Sequence, residues 1–348
     1  MIAILPLALV AFLVAALLAR RLSRPDSIWF ILDHPNHRSL HSRPTPRNGG
    51  LAILGGLLVS WPLLLMLDTI HRPHGWEYIV SAWMACVVVS LWNDRREIAP
   101  SVRFFLHTGI ALFFLAMGEY SVAAIVLPGF HPVPLHGGGM ILSAVSFVWM
   151  LNLYNFMDGM DGFAGGMGAF GFLFFAAFGY FAGHPHFAGA ALLIAAANLG
   201  FLTANFPPAR IFMGDVGSVP MGFLVATFSF WGIRDAIFPF WVPFLVFSPF
   251  IVDATLTMFR RIFQRKKVWR AHRTHYYQKL VRMGWGHRRT VLWEYGLMLG
   301  SGLSALYMRF HATPETAAKM FLAWGVLYFT LAILIDGLGG RTLQNEDA

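Results

Sequence analysis

The sequence predicts an all-α polytopic membrane protein of about eleven transmembrane helices, one domain over residues 1–348, with its active site formed by cytoplasmic loops. Three observations carry that class. Of the 348 residues 57% are hydrophobic and only 12% charged, too apolar a balance for a soluble domain. Apolar runs recur at close to the roughly 20 residues that a bilayer requires. Placing the amino terminus outside leaves only Arg72, Arg234, Arg309 and Lys319, out of 26 Lys and Arg, on the outer side.

In chain order the expected spans are 1–19, 49–67, 77–92, 103–118, 139–157, 163–183, 187–205, 216–233, 237–258, 290–308 and 315–336. The first ends in Arg20-Arg21 but lacks a basic start and a cleavage site, so it reads as a retained helix rather than a signal peptide. Segment 119–138, with Pro128-Gly129 and Pro132-Val-Pro134, is expected to form an outer loop or short hairpin. The net charge of +9 would suggest nucleic acid in a soluble chain; here the inward bias of basic residues accounts for it, and no nucleic-acid partner is expected. A single cysteine, mid-span Cys86, excludes an intrachain disulfide and a cysteine-cluster metal site.

The unusual polar clusters all fall on the inner side: Asp33 to Gly50, Asn93-Asp94-Arg95-Arg96, Asn152 to Gly166, Asn205 to Ser218 and Arg260 to Arg289. Carboxylates set against apolar spans are costly and ask for a function. Asn152, Asn155, Asp158 and Asp161 recur every three residues, so successive pairs are neighbours on a helix surface. Carboxylates that close repel unless a cation or proton lies between them, and hard oxygen donors suit Mg²⁺. Gly159, Gly162, Gly165 and Gly166 are expected to let backbone N–H groups approach phosphate oxygens. The competing meaning of this cluster is a carboxylate pair in a transport pathway.

Phe212-Met-Gly-Asp215-Val-Gly-Ser218 presents a carboxylate at a tight turn, with Phe212 placed to stack on a flat ring; as a lone motif it reads better as a polar turn between two spans. In the first inner segment His34, His37 and His41 invite a zinc site, but Pro35 breaks the helical spacing and no fourth ligand is evident. Arg38, Arg43 and Arg47 suit a diphosphate, and the same charges serve positive-inside anchoring. The segment 259–289 is the most basic, and anionic membrane lipids are its default partner. Within it His272-Arg273-Thr-His275-Tyr-Tyr-Gln278 adds groups that an anchor does not need and that suit phosphate.

Together these segments resemble the polyprenyl-phosphate N-acetylhexosamine-1-phosphate transferase superfamily, glycosyltransferase family 4, and within it the bacterial branch that initiates O-antigen and other surface polysaccharides. The resemblance runs from Asp33 to about Arg289 and is most specific in Asn-x-x-Asn-x-x-Asp-Gly-x-Asp-Gly-x-Ala-Gly-Gly and Phe-Met-Gly-Asp-x-Gly-Ser. It implies a multi-pass enzyme of the bacterial cytoplasmic (inner) membrane, active on the cytoplasmic face, using UDP-N-acetylhexosamine, undecaprenyl phosphate and Mg²⁺, with Mn²⁺ as a substitute. By motif, Asp215 would be a principal metal ligand, and Asp158 and Asp161 would serve the metal, the diphosphate or proton transfer. Phe212 would stack on uracil, Asn152 and Asn155 would order the nucleotide, and His272, Arg273 and His275 would contact phosphate. The paired aspartates that usually follow the third span stand here as Asn93-Asp94. Asn93 cannot act as a base, so any activation of the lipid phosphate would pass to Asp94; that phosphate is already largely ionised near neutral pH.

Two other activities compete. A phospho-MurNAc-pentapeptide transferase usually carries a three-histidine run where this chain has Thr274-His275-Tyr276. A cation-coupled secondary transporter should show acidic residues inside its spans and corresponding helix breaks in two halves, and no half-repeat is evident. The identity of the sugar and the oligomeric state are not legible in the motifs.

Overall fold

The computed structural model describes residues 4–27, 31–35, 39–66, 75–96, 98–118, 120–267 and 272–342. Its helices are α1 (Leu5–Leu22), α2 (Gly50–Leu65), α3 (Trp76–Arg95), α4 (Pro100–Met117), α5 (Gly138–Phe156), α6 (Phe163–Phe181), α7 (Pro185–Asn205) and α8 (Asp215–Arg234). They continue as α9 (Trp241–Val246), α10 (Ser248–Phe263), α11 (Tyr276–Leu280), α12 (Gly286–Phe310) and α13 (Pro314–Thr342), with a π-helical turn at Val281–Trp285. Helix is what an apolar chain must adopt where no water can satisfy its backbone. Proline opens α4, α7, α10 and α13, where its missing N–H is no loss.

Each of the eleven expected apolar segments overlaps a helix. Among the described residues seven helices qualify by length and composition as membrane-crossing: α1, α4, α5, α6, α7, α8 and α13. Helix α2 is apolar but shorter. The expected single span 237–258 is two helices, broken at Phe247, where Pro249 cannot donate the N–H that a continuous helix would need and Phe247 leaves helical geometry (φ −96°, ψ 14°). Between α4 and α5 the expected hairpin is present: β3 (Ala124–Ile125) pairs antiparallel with β4 (Val133–Pro134).

The core lies along α6, α7 and α8. Helix α7 packs on α6, α1 and α2, while α8 packs on α5 and α3. Phe172, Phe175, Phe187, Phe228 and Trp231 interlock there, mostly edge-on or tilted. In an 18-residue stretch of α8, 94% of the residues are buried within the protein; the corresponding stretch of α13 has none.

Ahead of α2 the chain forms β1 (Leu32–Asp33) antiparallel to β2 (Thr45–Pro46). Phe212 extends this edge, its N–H donating to Pro46 O and its carbonyl accepting from Gly49 N. The starts of α2 and α8 then cross backbone against backbone: a Cβ on Gly50 would lie 2.2 Å from Gly217 Cα. The amino-terminal segment is thereby fixed against the loop that carries Asp215.

Candidate active site

The five polar segments meet. A cavity of about 450 Å³ is lined from the first by Asp33, His41 and Arg47, and from the second by Asp94, with Arg103 of α4 beside it. Asn155, Asp158 and Asp161 line it from the third, Asn205, Phe212 and Asp215 from the fourth, and His272, His275, Tyr277, Gln278 and His287 from the last. Helix ends supply Asp94, Arg103, Asn155 and Asp215, so the wall is built from helix termini as much as from loops.

Asp215 is the hub. Its Oδ1 accepts from Asn155 Nδ2 at 2.8 Å, and its Oδ2 accepts from Asn93 Nδ2 at 2.5 Å and pairs with Arg103 at 3.1 Å. Gly214 turns the chain into α8 with φ +71°, and a Cβ there would lie 1.9 Å from Arg47 O, so no other residue fits. Asp94 accepts the Asp215 N–H on Oδ1 (3.3 Å) and the Val216 N–H on Oδ2 (2.9 Å), tying α3 to the first turn of α8. Arg47 donates to the Asp94 carbonyl at 2.8 Å.

Burial first, and then the charge of Asp215, push the Asp158 carboxyl well above the usual carboxylate range. Asp161 is otherwise engaged: it pairs with His287 Nδ1 at 3.0 Å and accepts from Ala209 N at 2.9 Å. His275 is buried, its Nδ1 3.0 Å from Asp253 Oδ1, with the His272 ring stacked on it at 4.9 Å. Burial, with the His275 and Arg261 charges, holds His272 down to about 3, so near neutral pH it meets a ligand as an uncharged ring. Phe212 keeps its ring edge-on to His41, centroids 4.8 Å apart.

Among the described residues no three His, Cys, Asp or Glu side chains gather closely enough to hold a metal by themselves. The donor set nevertheless fits Mg²⁺, which takes one or two carboxylates and completes its shell with water and phosphate. Asp158 and Asp215 offer the oxygens, and the repulsion that raises Asp158 is what a cation would relieve.

Three expected contacts do not reach the cavity. Asn152 Nδ2 donates to Val148 O of its own helix, Arg43 is exposed, and Arg273 lies off the wall. His37 and Arg38 lie outside the described residues. The phosphate role expected of the later glycines is replaced by packing. A Cβ on Gly166 would meet Tyr295 at 2.1 Å, and one on Gly165 would meet Leu202 at 3.0 Å. The Gly162 N–H is taken by Asn205 Oδ1. Sequence reasoning missed Arg103, Asp253 and His287. The first two were visible as charges inside or beside apolar runs, whereas His287 carried no signal.

Residues 76–233 match the family described as glycosyl transferase family 4, a stretch that takes in Asp94, Arg103, Asn155, Asp158 and Asp215. A Bacillus subtilis protein named probable undecaprenyl-phosphate N-acetylglucosaminyl 1-phosphate transferase is 26% identical over 287 residues, 80% of this chain and 77% of that one. A decaprenyl-phosphate N-acetylglucosaminephosphotransferase of Mycobacterium tuberculosis is 29% identical over 319 residues, 82% and 78% of the two chains. A phospho-N-acetylmuramoyl-pentapeptide-transferase of Staphylococcus saprophyticus is 24% identical over 306 residues, 84% and 94%.

Proposed function

The chain belongs to glycosyl transferase family 4, and from that premise we propose that it transfers an N-acetylhexosamine 1-phosphate from a UDP-sugar to undecaprenyl phosphate. An oxygen of the lipid phosphate attacks the β-phosphorus, the bond to the bridging oxygen breaks, and UMP leaves with that oxygen. The product is the lipid-diphosphate-linked first sugar of a surface polysaccharide of O-antigen type. The reading places eleven spans in a bacterial inner membrane and the cavity at its cytoplasmic face. The observation that carries it is the meeting of Asp94, Asp158 and Asp215, from three separate segments, beside Arg47 and Arg103. A bare proton relay has no use for two guanidinium groups in that wall, whereas a diphosphate does.

Mg²⁺, held by Asp215 and Asp158, would neutralise the diphosphate and the departing UMP. Arg103 and Arg47 share that work from the α3–α4 side. Asn155 fixes the Asp215 carboxylate, and Phe212 offers a ring to uracil. Asp94, with both oxygens on α8 backbone N–H groups, aligns the Asp215 turn and would take any proton from the lipid phosphate. His275 and uncharged His272, which line the same cavity, donate ring N–H groups to phosphate oxygens.

The test is release of UMP by purified protein given polyprenyl phosphate, Mg²⁺ and, in turn, UDP-GlcNAc, UDP-GalNAc, 6-deoxy UDP-sugars and UDP-MurNAc-pentapeptide. Turnover with an N-acetylhexosamine donor supports the reading. Turnover with the pentapeptide donor alone would move the protein to the peptidoglycan branch. No turnover with any donor, together with cation-driven uptake in proteoliposomes, would favour a transporter.

A further inference from the structure

Asp253 lies in α10, a buried carboxylate in an otherwise apolar run, and it is not part of the cavity wall. Its hydrogen bonds all run to one place. Oδ1 meets His275 Nδ1 at 3.0 Å and accepts the Tyr276 N–H at 3.0 Å; Oδ2 accepts the Tyr277 N–H at 3.0 Å. Thr257, one turn along α10, donates to Oδ1 at 3.1 Å and fixes the carboxylate in turn. Buried carboxylates are rare unless such partners compensate them, and here the partners all belong to α10 and α11.

A carboxylate can only accept, so the shared proton resides on His275 Nδ1 and the ring's orientation is set. The nitrogen left for a ligand is Nε2, which donates to a phosphate oxygen when it too carries a proton. Two further contacts hold the segment. Gln278 Oε1 accepts the His275 N–H at 3.2 Å. Lys279 reaches Asp336 of α13 at 2.6 Å, and Arg260 of α10 pairs with the same carboxylate. Tyr277 carries the arrangement across to the acidic loop, where a Cβ on Gly159 would meet its hydroxyl at 2.3 Å.

We propose that Asp253 is a positioning residue that orients His275, so that Nε2 faces the phosphate of the substrate opposite Asp158 and Asp215. This role presupposes the phosphate transfer proposed above. Its physical basis is the one that fixes a histidine wherever the second ring nitrogen must meet a ligand at a set angle.

Two measurements on the full-length protein in nanodiscs test it. With ¹⁵N-histidine labelling, and His275→Asn to assign the signal, wild type should show a hydrogen-bonded Nδ1–H for His275 that is lost in Asp253→Ala. Its absence from wild type overturns the pairing whatever the activity. In steady-state assays Asp253→Asn should lower kcat/KM about 10- to 100-fold, chiefly through KM for the lipid phosphate, and Asp253→Glu should recover part of the loss. Placed on His275→Ala, Asp253→Asn should add less than about twofold, because the ring it orients is gone. Multiplicative losses would show a general structural role and overturn the proposal. An inactive wild type that keeps the Nδ1–H signal would instead sink the transferase reading and the phosphate role with it, leaving only the pairing.

Discussion

Helix α8 has an acidic group at each end, and the two are solved differently. At the carboxyl-terminal end Asp235 accepts from Trp231 Nε1 at 2.7 Å and from Arg234 Nε at 2.8 Å, with the guanidinium also 4.4 Å from the centre of the Tyr120 ring. One carboxylate meets one cation, and nothing is left over. At the amino-terminal end Asp94, Asp158 and Asp215 face Arg47 and Arg103, and Asp158 is pushed up by burial and by its neighbour's charge. Both ends are well hydrogen-bonded, so hydrogen bonding does not mark the site. Surplus negative charge that the fold itself leaves uncompensated does.

The most direct way to break the comparison is Asp215→Asn. It should lower kcat/KM on the order of 1,000-fold, about 4 kcal/mol, with unfolding midpoint and membrane insertion unchanged. Near-wild-type turnover would remove Asp215 from the metal. Next is Asn93→Asp, which replaces an amide donating to Asp215 by another carboxylate. Without divalent cation the protein should lose about 1–3 kcal/mol of stability, recovered in millimolar Mg²⁺, with activity retained or raised. Denaturation midpoints with and without Mg²⁺ that do not differ would place the cation elsewhere; collapse of activity would give Asn93 a contact of its own.

A third outcome concerns charge in the opposite wall. His272 titrates at about 3 in the folded protein, against about 6.5 when unfolded. Below about 6.5 the unfolded chain takes up the proton first, so stability present at neutral pH is lost progressively as pH falls toward 3. His272→Gln should flatten that part of the slope in midpoints measured from pH 7 to 5, by at most one proton. An unaltered slope would show a charged ring in the cavity. The smallest effect belongs to the carboxyl-terminal end: Asp235→Asn should cost no more than about 1 kcal/mol and leave kcat/KM within about twofold, because the pair is partly exposed. A large loss of turnover there would erase the contrast between the two ends.

The apolar runs and the five clusters were legible because hydropathy and residue type are local properties. What stayed hidden depends on which segments touch. Asn93 reads as a lost base, yet its amide is a donor to Asp215, 122 residues away. Asp253 sits in Phe-Ile-Val-Asp-Ala-Thr as an unexplained acid until α11 folds onto it. Gly165 and Gly166 follow a phosphate-like pattern and serve helix contact, because glycine spacing is the same for both uses. Asn152 has the spacing of Asn155 but bonds within its own turn, since a three-residue step carries it about 60° around the helix.

Asp336 is on α13, the long apolar helix least covered by the rest of the protein, yet through Lys279 it steadies the short segment that begins at His275. A premature stop within α13, just ahead of residue 336, would delete no group lining the cavity and still deprive that segment of its brace. Truncated forms should therefore insert and accumulate normally while losing affinity, and a reporter is better fused beyond Asp336 than in its place.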